Sequence, residues 1–350
     1  MPKGVIMKEI WKNVFYFKKI SSIGGVESFF YYLSKLYKNM VVYYKEGDPE
    51  QIKRLAHNIE VHKFNGEKIV CDRFFCNYGF DIGDYIEAKE YYHIIHCDYK
   101  KVTFKPIVYH GFKYIGVSKL VCDSFKELTG IEAELIYNPV YIKKKKGIKK
   151  YDDGKIHILV ASRLTKEKGG ERIVKLAQMS NDFVIDLYSN RHLFPQLPNI
   201  IEHDTKLDLR EEMQKANYVA QLSEHEAFGL SVAESLILGT PVIVTDIPAF
   251  REIGCKHGKN SVICDLDMKN VDIEMIKNGL PPFKYKAPKS NWDKYLDNES
   301  DYNPKDLVKV RTKKKLWDTE TDIHHKANAI IELTKERASY MEALGYVEVL

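Results

Sequence analysis

Two glutamates, Glu226 and Glu234, bracket the run E-A-F-G-L-S-V-A-E. About sixty residues upstream, R-L-T-K-E-K-G carries Arg163 and Lys168. A guanidinium clamps two oxygens of a phosphate at once, and an ammonium adds a point charge. If this segment turns from a strand into a helix, the free N–H groups of the helix start add further positive potential. Carboxylates accept hydrogen bonds from ligand hydroxyls. Glu234, inside the helix, suits two adjacent ribose hydroxyls, and Glu226, just before it, suits a hydroxyl of a second ring. Gly229 lets a ligand approach the backbone, and the turn Phe228-Gly229-Leu230-Ser231 can present N–H groups to it. Solvated surface charges would explain the four ionic residues, but not the glycine and serine among them. The set suits a diphosphate flanked by polyhydroxyl groups.

These residues need a scaffold, and apolar runs alternating with amphipathic stretches point to parallel sheets with crossover helices. In the first half, strands are expected at 13–17, 40–44, 68–72, 92–97 and 114–118. Helices are expected through S-F-F-Y-Y-L-S-K-L-Y, at Q-I-K-R-L-A, and after Ser118, which suits an N-cap. The second half repeats the plan, with strands at 155–162, 182–188, 217–222 and 241–245. There A-F-G-L-S-V-A-E-S-L-I-L-G reads as a helix ended by Gly239. Residues 268–316 read as loops and short helices, and Glu320 to Ala343 as helical. The fold class is α/β, in two doubly wound domains with ligands at the C-terminal strand edges.

The 350 residues suit two domains rather than one core. No apolar stretch nears the roughly 18 residues of a membrane span, and the N-terminal stretch lacks a signal-peptide core. The cytoplasm is the expected compartment. Six cysteines without a C-x-x-C read as reduced, mostly buried thiols. Residues 1–150 hold 26 Lys and Arg against 17 Asp and Glu, and six of the lysines lie in K-K-K-K-G-I-K-K. That run suits either an anionic surface or an extended, solvated linker, and the linker is favoured because no aromatic or amphipathic partner lies beside it. In the first half, His96 at the end of Y-H-I-I-H-C is a strand-end imidazole suited to ligand hydroxyls, with His93 and Asp98 as alternatives. A hydrogen-bonded structural histidine has nearly equal weight. Asp265-Leu266-Asp267 reads as a turn rather than a metal site.

E-A-F-G-L-S-V-A-E resembles the E-x7-E motif of retaining GT-B glycosyltransferases, in particular glycosyltransferase family 4, the glycosyl transferases group 1. R-L-T-K-E-K-G resembles the R-x4-K segment of that family, and G-T-P-V-I-V-T-D-I-P-A-F-R-E-I its later strand and acidic turn. Y-I-G-V-S-K-L-V-C-D-S-F and I-Y-N-P-V resemble the closing segments of its first domain, and I-G-G-V-E is similar to its N-terminal glycine loop. The likeness spans about residues 13–265, more strongly in the second half. It implies GT-B, two Rossmann-like domains facing across a cleft. Residues 1–142 would hold the acceptor, 143–150 would be the lysine-rich linker, 151–318 would hold the donor, and 319–350 would be a helical tail packing back toward the first domain.

The resemblance implies a nucleotide-sugar donor and transfer of a hexose to an acceptor hydroxyl with retention. The acceptor would be a glycan, a lipid-linked carrier or a protein, with a peripheral membrane contact and no nucleic acid. The implied process is glycan or cell-surface polysaccharide biosynthesis. Arg163 and Lys168 would steady the leaving diphosphate, Glu234 the ribose and Glu226 the sugar. Gly24 and Gly25 would let the first loop close over the phosphates. No cofactor or metal would be needed, because the cations neutralise the phosphates. The usual H-x-H is replaced here by His96-Cys97-Asp98. A non-catalytic GT-B-like binding partner and a sugar-nucleotide epimerase are the alternatives.

Overall fold

The computed structural model describes residues 10–79, 81–189, 197–297, 307–313, 316–318, 323–334, 342 and 346–350. Two compact units result: Met1–Ile95 with Ile107–Ile115 and Trp292–Leu350, and His96–Pro106 with Gly116–Asn291.

The first sheet contains β1 (Ile10–Ile20), β2 (Val41–Gly47), β3 (Glu60–Lys63), β4 (Ile69–Asn77), β5 (Ile86–Ile95), β6 (Phe112–Gly116) and β7 (Glu134–Leu135). Their order is β3-β2-β1-β4-β5-β6-β7, and β1 runs parallel to both β2 and β4. Val14 to Phe17 are buried on both faces, as a central parallel strand requires. Helix α1 (Gly25–Leu36) follows β1, and α2 (Pro49–Ala56) starts from an Asp48 cap with proline at its first turn. Helix α3 (Lys119–Thr129) starts where expected: the Ser118 hydroxyl accepts from Val121 N–H at 3.2 Å.

The second sheet contains β8 (Ile156–Ala161), β9 (Phe183–Tyr188), β10 (Ile200–His203), β11 (Tyr218–Gln221), β12 (Val242–Thr245) and β13 (Ser261–Cys264). Its order is β10-β9-β8-β11-β12-β13, with parallel pairing throughout. Helices α4 (Gly170–Gln178), α5 (Arg210–Lys215), α6 (Leu230–Leu238), α7 (Pro248–Glu252) and α8 (Ile273–Asn278) complete it. Gly239 ends α6 in the left-handed region, at φ 78°, as expected.

Two expectations need correction. The tail read as helical contains the strands β16 (Ile323–His325), paired antiparallel with β15 (Leu316–Asp318), and β17 (Ile330–Thr334); its residues 320–322, 335–341 and 343 lie outside the described ones. β17 pairs antiparallel with β14 (Leu307–Thr312), which also pairs with β18 (Val347–Val349). β-Branched residues in I-I-E-L-T favour a strand once a partner exists, and that partner lies outside the local window.

The lysine-rich run is exposed and without regular structure, as a solvated linker would be, and it is also tied to the second unit. Lys145 exchanges backbone hydrogen bonds with the Gln214 amide at 2.8 and 3.0 Å. Lys150 Nζ donates to Ala216 O at 2.5 Å, and Lys144 Nζ sits over Gly239. Both ammonium groups therefore meet the negative ends of helices, α5 and α6 respectively. Burial, then Lys144, pulls the Lys150 pKa down.

The second correction falls on residues 268–316: 268–297 hold loops and short helices such as α8, as expected, and include a core anchor, but Leu307–Thr312 form the strand β14. Trp292 is fully buried in the first unit, with ring centroids 6.1 Å from Phe15, 5.6 Å from Phe29 and 5.8 Å from Phe75. Residues 298–306 lie outside the described ones. All six cysteines are free thiols. Among the described residues, no helix is long and apolar enough to cross a membrane.

Candidate active site

β8 and β11 are neighbours at the point where the second sheet's strand order reverses. In a doubly wound sheet the loops leaving such strands diverge and open a crevice at their C-terminal ends. The β8–α4 loop carries Arg163 and Lys168, and the β11–α6 loop carries Glu226.

The two loops are fastened together. Gly169 adopts φ 83°, and a Cβ there would overlap the Leu222 carbonyl, so only glycine fits. Glu224 N–H donates to Glu167 O at 2.7 Å. Arg172, in the first turn of α4, donates from Nε to Leu222 O at 2.6 Å, from Nη1 to Glu224 at 3.3 Å and from Nη2 to Lys166 O at 3.3 Å. One guanidinium thus ties three points on two loops.

This fastening brings Lys168 and Glu226 together. Lys168 Nζ lies 2.7 Å from Glu226 Oε1, and their side chains are only 18% and 16% exposed. The same oxygen accepts from Ser223 Oγ at 2.8 Å and from Gln221 Nε2 at 3.2 Å. Gln221 Nε2 also donates to Ser223 Oγ at 2.7 Å, and Ser231 Oγ donates to Gln221 Oε1 at 3.2 Å. Thr245 Oγ1 holds the Ser223 carbonyl at 2.5 Å. Gln221 and Ser223 are both buried.

Helix α6 begins at Leu230, three residues later than the sequence pattern suggests, so Glu234 stands just over one turn inside it. Gly229 caps it at φ 94° with no side-chain cap, and a Cβ there would lie 2.8 Å from the Phe250 ring. The first N–H groups of α6, at Leu230 and Ser231, therefore have no intrahelical partner, which makes this end attractive to an anion. Phe228 is buried beneath the turn, 6.2 Å from the Tyr137 ring. Glu234 is half-buried.

Arg163 is placed differently. Its side chain is 62% exposed, with the guanidinium 3.8 Å from Glu167, and it takes no part in the Lys168–Glu226 network. In the first unit, Gly24 caps α1 in an extended conformation and Gly25 is its first residue. A Cβ on Gly24 would overlap the Glu27 carboxylate, which accepts from Ser21 N–H at 2.8 Å.

Of the three residues weighed at the end of β5, two have structural duties. His93 is buried between the rings of Tyr109 and Tyr114, and burial pushes its pKa down to about 4. Asp98 is buried and accepts from Ser124 Oγ at 2.6 Å and Lys100 N–H at 3.0 Å. His96, half-buried immediately after β5, is the remaining candidate. Asp265 and Asp267 lie in a turn, with Met268 N–H on Asp265 O at 3.0 Å and Asp267 paired to Lys269 at 2.9 Å.

Sequence reasoning missed Gln221, Ser223 and Arg172. A signal existed for the first two: V-A-Q-L-S breaks an apolar strand with polar residues just before Glu226. Arg172 left none, because two of its three partners are backbone carbonyls.

The two sheets, each with the 3-2-1-4-5-6 order, match the GT-B fold of solved glycosyltransferases. Residues 199–277, which include Glu226 and Glu234, match the family described as Glycosyl transferases group 1. HepE of Anabaena, solved in complex with UDP-glucose, is similar in structure, with TM-score 0.57 and 14% identity over 76% of this chain and 90% of that one. A glycosyltransferase from Rickettsia africae ESF-5 gives TM-score 0.55 and 15% identity over 77% and 88%. Sucrose-phosphate synthase of Thermosynechococcus elongatus gives 0.51 and 12% over 77% and 88%. No curated protein matches the sequence at a significant level.

Proposed function

We propose that this protein is a retaining, metal-independent glycosyltransferase that moves a hexose from a nucleoside diphosphate sugar to an acceptor hydroxyl. The observation that carries this reading is the half-buried Lys168–Glu226 pair at the sheet's switch point, beside the uncapped start of α6. An ammonium and free N–H groups suit a diphosphate, and a carboxylate beside them suits the sugar attached to it. Glu234 binds the ribose, and Arg163 swings onto the phosphates when they arrive. Gly24 and Gly25 admit the phosphates close to the first loop, and His96 contacts the donor or acceptor hydroxyls.

The reaction breaks the bond between the anomeric carbon and the diphosphate oxygen, and the acceptor oxygen bonds to the same face of that carbon. The acceptor's proton passes to the departing diphosphate oxygen. Lys168 and the α6 N–H groups stabilise the charge that gathers there, so no divalent cation is required. The acceptor is a glycan, a lipid-linked carrier or a protein, in cell-surface polysaccharide assembly at the cytoplasmic membrane face. HepE's UDP-glucose supports uracil and glucose as the first donor to try.

The test is a thermal-shift panel of UDP-, GDP- and ADP-sugars with their nucleoside diphosphates, each with and without EDTA. One nucleotide sugar at about a hundredfold excess over its Kd adds about 2.7 kcal/mol of stability, unchanged by EDTA and lost in Lys168→Ala. No stabilisation by any nucleotide overturns the reading and favours a non-catalytic binding protein. Donor turnover without an acceptor, giving an epimer, favours an epimerase instead. Retention is read from the product's anomeric coupling constant by NMR.

A further inference from the structure

Gln221 ends β11 with its side chain buried, on the opposite face of the strand from the core residues Tyr218 and Ala220. A buried amide is costly unless its groups are paired, and here one amide reaches three side chains of the site. The chemistry fixes its orientation. Glu226 can only accept, so the NH2 must face Glu226 Oε1 and Ser223, at 3.2 and 2.7 Å. The carbonyl then faces Ser231 at 3.2 Å, and the Ser231 hydroxyl has to donate to it.

Two consequences follow for a ligand. Glu226 Oε1 already accepts from Lys168, Ser223 and Gln221, so Oε2 is the oxygen left to meet a ligand. Ser231 has committed its single proton, so toward a ligand its oxygen acts only as an acceptor. A phosphate also only accepts and makes a poor partner for that oxygen. A sugar hydroxyl, which donates, makes a good one.

We propose that Gln221 is a positioning residue that sets the hydrogen-bond polarity of the sugar subsite, making Glu226 and Ser231 a pair of acceptors for two donating hydroxyls of the transferred sugar. The proposal rests on the glycosyltransferase reading and adds a substrate class: a sugar with unsubstituted hydroxyls at the two positions that reach this pair.

The test titrates wild type, Gln221→Leu and Ser231→Ala with the panel's best nucleotide sugar, its nucleoside diphosphate, and singly deoxyfluorinated forms of that sugar. A C–F bond cannot donate. In wild type at least one fluorinated position is expected to weaken binding about tenfold or more. In Gln221→Leu, Kd for the nucleotide sugar rises about tenfold, Kd for the nucleoside diphosphate stays within about twofold, and the fluorine penalty shrinks. A merely structural role would weaken both ligands together, and that result in a folded Gln221→Leu overturns the proposal. An unchanged fluorine penalty also overturns it. Should Gln221→Leu fail to fold, Ser231→Ala decides: reduced discrimination supports the proposal, and full discrimination sinks it. If wild type binds no nucleotide or nucleotide sugar at all, the glycosyltransferase reading fails, and the proposal falls with it.

Discussion

At the scale of single residues, the pair formed by Lys168 and Glu226 sits between two energetic regimes. Exposed ion pairs contribute little, whereas breaking a buried one leaves a charge without its partner. With less than a fifth of each side chain exposed, the pair lies nearer the second case. Lys168→Met leaves Glu226 two neutral donors, Ser223 and Gln221, so the carboxylate is not stranded. Lys168→Met and Glu226→Gln should each lower stability by roughly 1–2 kcal/mol, with a coupling of about 1 kcal/mol in a double-mutant cycle read by urea unfolding. Sugar transfer should fall by about a hundredfold or more in either variant. Additive stability losses would mean that the two side chains act independently. Both residues are legible in the sequence, because their types and spacing are unusual together. Their contact is not, since 58 positions separate them and the strand order alone closes that distance.

At the scale of elements, the β8–α4 and β11–α6 loops behave as one piece because Arg172 and Gly169 join them. Arg172→Ala removes three hydrogen bonds and strands the Leu222 carbonyl. The expected cost is roughly 2–3 kcal/mol in chemical denaturation. Arg172→Lys keeps the charge but not the planar fork, and should recover less than half of it. Catalysis should suffer mainly in KM for the donor, since Lys168 and Glu226 remain but lose their fixed spacing. An Arg172→Lys protein as stable as wild type would show that charge, and not the fork, joins the loops. Strand and helix existence along the two sheets was readable from apolar runs such as I-H-I-L-V-A and P-V-I-V-T. β3, β10 and β13 are not: each is a short strand at a sheet edge, and E-V-H-K, I-I-E-H and S-V-I-C hold too few consecutive apolar residues to stand out. The start of α6 was also misplaced, since Ala227 and Phe228 suit a helix by propensity while Gly229 at φ 94° stops it.

At the scale of the whole molecule, the same strand order is built twice, yet the two units carry opposite responses to acid. In the first, His93 is buried, and its pKa falls to about 4 from an unfolded value near 6.5. The folded form stays neutral where the unfolded chain takes up a proton, so this unit loses stability as pH falls from about 6.5 to 4. The loss approaches roughly 3 kcal/mol at the lower end. In the second unit, burial pulls the His157 pKa down, but hydrogen bonds to Asp153 and Asp186, at 3.0 and 2.7 Å, outweigh it and leave it raised. That contribution is fully present below about pH 6.5 and is lost as pH rises through the folded value. Asp153, held low mainly by His157, keeps its own contribution down to its unfolded value near 4. Between about pH 4 and 6.5 the first unit therefore weakens while the second is best held. Calorimetry from pH 4.5 to 8 should show the unfolding transition broadening or splitting toward acid, with the first unit melting earlier. His93→Leu should flatten the acid limb, and the deficit of His157→Gln relative to wild type should be largest below pH 6.5 and shrink above it. A His93→Leu protein that loses stability in acid as steeply as wild type would place the acid-sensitive group elsewhere in the chain.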